Sequence, residues 1–207
     1  SLYWDMYRLA RQSPGGIAAK AIAGIELALW DIKGKFHGVP VYELFGGPTR
    51  NNQKVYWSHC GTSRARSYDL LGVPPLESMQ DVKSLGEEVR SKGFTALKTN
   101  IVFPGKPANV YFAGFEGGKG TTDQHITPQL LSHIENYIMT LKEGTGRDVE
   151  IALDLNFNFK PQAANRICKI LESLDMMWIE IDMYEPNGLA EIKRGTSNTI
   201  TSGENLF

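Results

Sequence analysis

Cysteine is scarce: Cys60 and Cys168 have no metal-type spacing and are too few for a disulfide framework. Charge of one sign is scarce as well. The formal net charge is −1 and no long acidic or basic block occurs, so neither a nucleic acid nor an anionic membrane is expected as a partner. Long apolar runs are missing. The nearest candidate, Ile17 to Trp30, contains Lys20 and Glu26, so no stretch reads as a membrane span. The opening Ser1-Leu-Tyr-Trp-Asp5 does not resemble a secretion signal, and a reducing cytoplasm is the expected compartment. With 42% hydrophobic and 22% charged residues, the chain has the composition of a globular protein with a sizeable core.

The pattern of elements changes near residue 50. Residues 2–12 read as a short helix, broken at Ser13-Pro14-Gly15-Gly16. From Ile17 to Lys33, apolar residues recur every three or four positions (Ala18, Ile22, Ile25, Leu29, Ile32), which predicts a helix. Ala21, Ala28 and Trp30 widen its apolar face, so burial on most sides is expected, with Gly24 marking a close packing contact. Pro40 opens a short helix that Gly46-Gly47-Pro48 stops. Polar residues 49–53 then mark a boundary, which gives a helical region over 1–50 and a second domain over 51–207.

In the second domain, strands and helices alternate. Strands are expected at 54–60 and 94–100 and at the runs ending in Asp154, Glu180 and Glu204; helices are expected at 76–92, 127–141, 161–174 and 188–194. About five strands alternating with helices predict an α/β fold with a parallel sheet, part of a TIM-like (β/α) barrel. A closed barrel needs eight strands, so the expected sheet is open. Ligands of such folds sit at the carboxyl ends of the strands. Asp154, Glu180 and Glu204 each end an apolar or β-branched run, at spacings of 26 (180 − 154) and 24 (204 − 180) residues, about one strand-helix unit each. An acid there is costly unless paired or bound, and three in consecutive units suggest a hard-cation site.

Several motifs add a family resemblance that spans most of the chain. They are Ala21–Lys35, Leu44-Phe45-Gly46-Gly47, Gly93–Asn100, Asp154-x-Asn156, Trp178-x-Glu180 and Gly203-Glu204. Together they resemble the mandelate racemase / muconate lactonizing enzyme group of the enolase superfamily, in order and in spacing. The first stretch is similar to a helix of that group's α+β capping domain. The resemblance implies Mg²⁺ held by Asp154, Glu180 and Glu204, removal of a proton α to a carboxylate, and stabilisation of the enediolate by the metal. Enolase-superfamily sites are an established instance of a Lys or His base working with Mg²⁺.

The departures from the pattern narrow this reading. The group's second barrel strand usually ends in Lys-x-Lys, whereas here Lys98 is followed by Thr99 and Asn100. An amide takes no proton at neutral pH, so racemisation between two opposed bases is disfavoured. Lys98 either neutralises a substrate carboxylate or acts as a base with a lowered pKa. Lys-x-Asn resembles sugar-acid dehydratases, in which a histidine from a later strand moves the proton. Lys98 and Asn100 are therefore the catalytic candidates, and Asn156, Tyr111, His59 and Arg64 are candidates for substrate binding, with Arg66 beside them. Glu180-Ile181-Asp182 replaces the usual Glu-Glu-Pro or Glu-Gln-Pro, which makes Asp182 a rival ligand. The 56 residues from Lys98 to Asp154 exceed the group's habit, and 101–126 reads as a lid that supplies Tyr111 or His125.

The expected function is Mg²⁺-dependent dehydration of an acid sugar or related 2-hydroxy acid, a small-molecule carboxylate, by a homo-oligomer. A racemase, epimerase or cycloisomerase is the alternative enzyme. A non-catalytic relative or fragment that needs another chain is the alternative from another class.

Overall fold

The computed structural model describes residues 1–12, 15–111 and 126–204. Contacts divide them into two units, Ser1–Lys54 together with Glu204, and Val55–Gly203.

The first unit is helical. Helices α1 (Leu2–Leu9) and α2 (Gly16–His37) are followed by a 3₁₀ turn, Val41–Phe45. Gly38 ends α2 in the left-handed conformation at φ 67°, returning its N–H to the carbonyls of Gly34 and Lys35. Gly34 is the buried residue of α2, because a Cβ there would stand 2.9 Å from the Val39 carbonyl oxygen. The expected burial of α2 is corrected by the structure: Ile17, Leu27 and Phe36 are 87%, 69% and 83% exposed. Within the first unit, α1 and the 3₁₀ turn pack on α2. Gly24 marks no close contact either, since a Cβ there would meet nothing within 4 Å. Among the described residues, no helix is long and apolar enough to cross a membrane.

The second unit is an α/β half-barrel. Strands β1 (Ala96–Thr99), β4 (Glu150–Asp154), β5 (Trp178–Glu180) and β6 (Ile200–Thr201) form one parallel sheet in that order. A separate hairpin pairs β2 (Val102–Phe103) with β3 (Asn109–Val110). Outside the sheet run α3 (Cys60–Leu71), α4 (Met79–Ser91), α5 (Pro128–Thr145), α6 (Pro161–Leu171) and α7 (Pro186–Gly195). Ser78 and Asp81 cap α4 reciprocally, and Thr127 caps α5 through the Leu130 N–H. The core joins α4 and α5 to β1 and β4 through Val82, Val89, Leu97, Ile134, Ile138, Leu141, Ile151 and Leu153, all fully buried. Helices α4 and α5 meet closely at Gly86 and Gly144, where backbone lies against backbone.

The strand expected over 54–60 is reduced to Trp57. Its N–H bonds the Ala96 carbonyl and its carbonyl accepts from Lys98 N, making a single parallel bridge to Leu97. The chain then enters the left-handed region at His59 (φ 50°), and α3 starts at Cys60, which leaves no length for a strand. Among the described residues, four strands of this sheet and this bridge therefore stand where five strands are expected.

Candidate functional site

Register brings the first two acids together. Asp154 and Glu180 are Cα partners at the ends of β4 and β5, so their side chains leave the sheet as neighbours. The register partner of Glu180 on β6 is Thr201. Glu204 comes three residues later, beyond Ser202 and a Gly203 at φ 128°, and is exposed. Asp182 lies two residues past Glu180 on extended chain, with Ile181 N bonded to the Thr201 carbonyl and Asp182 N to the Asn156 carbonyl. Alternation along that chain turns Asp182 to the side of Glu180. Carboxylate oxygens of Asp154, Glu180 and Asp182 all lie within 4.8 Å of one another. Asp182, expected as a rival ligand, thus joins Asp154 and Glu180 in one group. Asp154 and Asp182 are buried and Glu180 is partly so.

Lys98 threads into this group from β1, its Nζ 3.0 Å from Asp154 Oδ2 and 2.8 Å from Glu180 Oε2. Burial alone would lower its pKa, but the two carboxylates overcome this and raise it well above the ordinary lysine value. Of the two roles open to Lys98, this arrangement favours the fixed cation over the base. Three carboxylates against one ammonium leave an excess of two negative charges, which matches a divalent ion. The donors, all carboxylate oxygens, suit a hard cation such as Mg²⁺.

Asn156 adds a second sign of a ligand. It adopts φ 51°, and its N–H bonds Asp154 Oδ1 at 2.9 Å, fixing that carboxylate. Its side-chain Nδ2 is buried without a partner among the described residues. An unpaired buried donor costs on the order of 1–3 kcal/mol, a cost that an oxygen-rich ligand would remove.

Asn100, directly after β1, is buried. Its Nδ2 donates to the Asp154 carbonyl at 3.1 Å, while its Oδ1 accepts from Thr62 Oγ1 at 2.5 Å and lies 3.1 Å from His59 Nδ1. Asn100 thus links the carboxylate strand to His59, an exposed residue at the N-cap of α3. Arg64, expected to meet a substrate carboxylate, is corrected: it is buried and ion-paired with Glu88 Oε2 at 2.6 Å, tying α3 to α4. Arg66 is exposed on the same helix. Tyr111 packs against the core, with its ring stacked on Phe159 at 5.5 Å, and its carbonyl accepts from Asn158. The remainder of the expected lid, residues 112–125 with His125, lies outside the described residues. Sequence reasoning missed Thr62, because α3 itself was not expected. Burial pushes the Cys60 and Cys168 thiols up to about 12, so neither is a ready nucleophile.

Residues 2–46 match the family model for the mandelate racemase / muconate lactonizing enzyme N-terminal domain, and residues 81–207 match the model for the enolase C-terminal domain-like family. A D-mannonate dehydratase of Caulobacter sp. strain K31 is 26% identical over 96% of the chain and 48% of its own length. A D-galactonate dehydratase family member of Streptomyces bingchenggensis is 30% identical over 96% of the chain and 47% of its own. A solved structure of a candidate L-alanine-DL-glutamate epimerase from Burkholderia xenovorans LB400, bound to magnesium and fumarate, is 38% identical. It superposes with a TM-score of 0.92 over 99% of this chain and 51% of that one. The chain spans about half the length of the curated relatives it matches.

Proposed function

This chain belongs to the mandelate racemase / muconate lactonizing enzyme group of the enolase superfamily, and on that premise we propose that it serves Mg²⁺-dependent removal of a proton α to a carboxylate, followed by dehydration of an acid sugar or related 2-hydroxy acid. The observation that carries this reading is the group of three carboxylates around Asp154 with Lys98 ion-paired among them.

In this reading Asp154, Glu180 and Asp182 hold the cation, with Glu204 a further ligand by its motif. Bound there, Mg²⁺ supplies a fixed positive field for the charge that develops on a substrate carboxylate. Lys98 adds a second fixed cation beside it and contributes charge neutralisation rather than proton transfer. The free Asn156 amide hydrogens suit a substrate hydroxyl or carboxylate oxygen. Asn100 takes no proton and instead ties Asp154 to Thr62 and His59. One consequence is that two opposed bases are not built on this strand, which favours elimination over racemisation. The dehydratase names among the relatives support the same substrate class.

An epimerase is the second reading, and the magnesium- and fumarate-bound neighbour favours it. Incubation with Mg²⁺ and a panel of sugar acids in D₂O separates the two. Dehydration predicts a 2-keto acid product. Deuterium at the α-carbon or inversion there, without loss of water, would replace the dehydratase reading with the epimerase one. No reaction and no exchange with any acid would sink both.

A further inference from the structure

We propose that His59 is the base that takes the α-proton and that Asn100 is the positioning residue that fixes its tautomer, an inference that rests on the α-proton reading above. The Asp154 backbone carbonyl only accepts, so the Asn100 atom 3.1 Å from it is the amide nitrogen. Asn100 Oδ1 is then the atom turned toward Thr62 and His59, and an amide oxygen also only accepts. The Thr62 hydroxyl donates one hydrogen bond to it. His59 Nδ1, 3.1 Å away, must donate the other and so carries a proton. In a neutral imidazole protonated at Nδ1, the lone pair sits on Nε2.

Three observations make that lone pair usable. His59 is exposed, and Nε2 has no hydrogen-bond partner among the described residues. Its backbone is held at φ 50°, a strained conformation for a non-glycine residue that persists where surrounding structure enforces it. Enforcement comes from Trp57, locked to β1 on both sides of Leu97, and from the first turn of α3, where Ser63 N bonds the His59 carbonyl at 2.8 Å. The imidazole is also one residue removed from the carboxylate group, because Asn100 bonds His59 on one side and the backbone of Asp154 on the other. Asn100 stands where the family resemblance expects a lysine base. The amide does not replace that base, but it aims one.

The chemistry balances with a single base. His59 Nε2 forms an N–H bond as the α-carbon–hydrogen bond breaks, and the C–H electron pair moves into the carboxylate. When that pair returns to expel the β-hydroxyl, the imidazolium gives its proton to the departing oxygen, and water leaves. The base is restored and the product is an enol that becomes the 2-keto acid. No second base is needed, in keeping with the absence of a lysine at Asn100.

The test has two arms. In a long-range ¹H–¹⁵N spectrum of the histidine-labelled chain, His59 is expected as the Nδ1–H tautomer. It should shift toward a mixture of tautomers in Asn100→Leu. An Nε2–H signal in the unaltered chain overturns the proposal whether or not the buried variant folds. In the second arm, loss of the substrate α-proton, with or without loss of water, is followed in D₂O with Mg²⁺ and a 2-hydroxy acid for the unaltered chain and for His59→Gln and His59→Gly. Glycine suits the positive φ, and both changes are at an exposed side chain. The expected result is a kcat loss on the order of 10²–10⁴-fold. KM and Mg²⁺ affinity should be unchanged, with partial recovery of His59→Gly by free imidazole. Undiminished α-proton loss with His59→Gln overturns the base assignment while leaving the α-proton reading intact. Absence of α-proton loss by the unaltered chain overturns both.

Discussion

Asp154 and Glu180 are register partners across β4 and β5, and that pairing delivers two carboxylates to one point at the ends of two parallel strands. The cost of gathering them is met in part by Lys98, whose ammonium lies within 3.0 Å of an oxygen of each. Asp182 joins them through alternation on the chain beyond β5.

Removing the ammonium should therefore make the fold depend on a divalent cation. Lys98→Met leaves buried carboxylates without a counter-charge, and breaking such a pair costs about 3–5 kcal/mol. In thermal melts with a chelator, the variant is expected to be destabilised by an amount of that order. Added Mg²⁺ should then raise its melting temperature more than that of the unaltered chain. Equal Mg²⁺ shifts in both would contradict the role given to Lys98.

The Arg64–Glu88 pair should matter for stability and not for the site. Glu88→Gln removes the partner of an arginine whose side chain is only 7% exposed, with an expected loss of about 2–3 kcal/mol in urea unfolding. Mg²⁺ affinity is expected to stay the same. Burial alone would raise the Glu88 pKa, but hydrogen bonds from Lys92 and Arg64 hold it below the ordinary carboxylate value. A lowered folded pKa means that the contribution is present above the unfolded value, about 4.3, and is lost as pH falls through the folded one. The unaltered chain should accordingly lose stability faster than Glu88→Gln as pH drops below about 4.3.

Both thiols should be silent in the native state. With the pKa pushed up to about 12 by burial, Cys60 and Cys168 are expected to resist iodoacetamide at pH 8 and to react only in denaturant. Mass spectrometry of the alkylated chain reads this directly. Rapid native labelling of Cys60 would mean that α3 opens next to His59.

Local signals made much of this fold legible in the sequence. Thr127-Pro128 announced the start of α5 by a cap and a first-turn proline, and the run ending at Glu180 is the strand observed. Helix α3 was not legible, because Cys60-Gly-Thr-Ser has no apolar period and the helix is kinked at Ser67. The pairing of β6 was not legible for a different reason. Which residue of β6 pairs with Glu180 is a long-range register, and it is Thr201. Asp182 carried a usable signal, since two residues on extended chain place it on the side of Glu180. Asn100 was read as a lost base; its bonds to Asp154, Thr62 and His59 needed three segments brought together by the fold.

Calorimetric titration with Mg²⁺ addresses the carboxylate site most directly. The unaltered chain should bind one ion, and Asp154→Ala should lose on the order of 100-fold or more in affinity, as befits a ligand rather than a supporting residue. Asp182→Asn is expected to lower the affinity as well, following the arrangement of oxygens around Asp154. Unchanged Mg²⁺ affinity in Asp154→Ala would contradict the account.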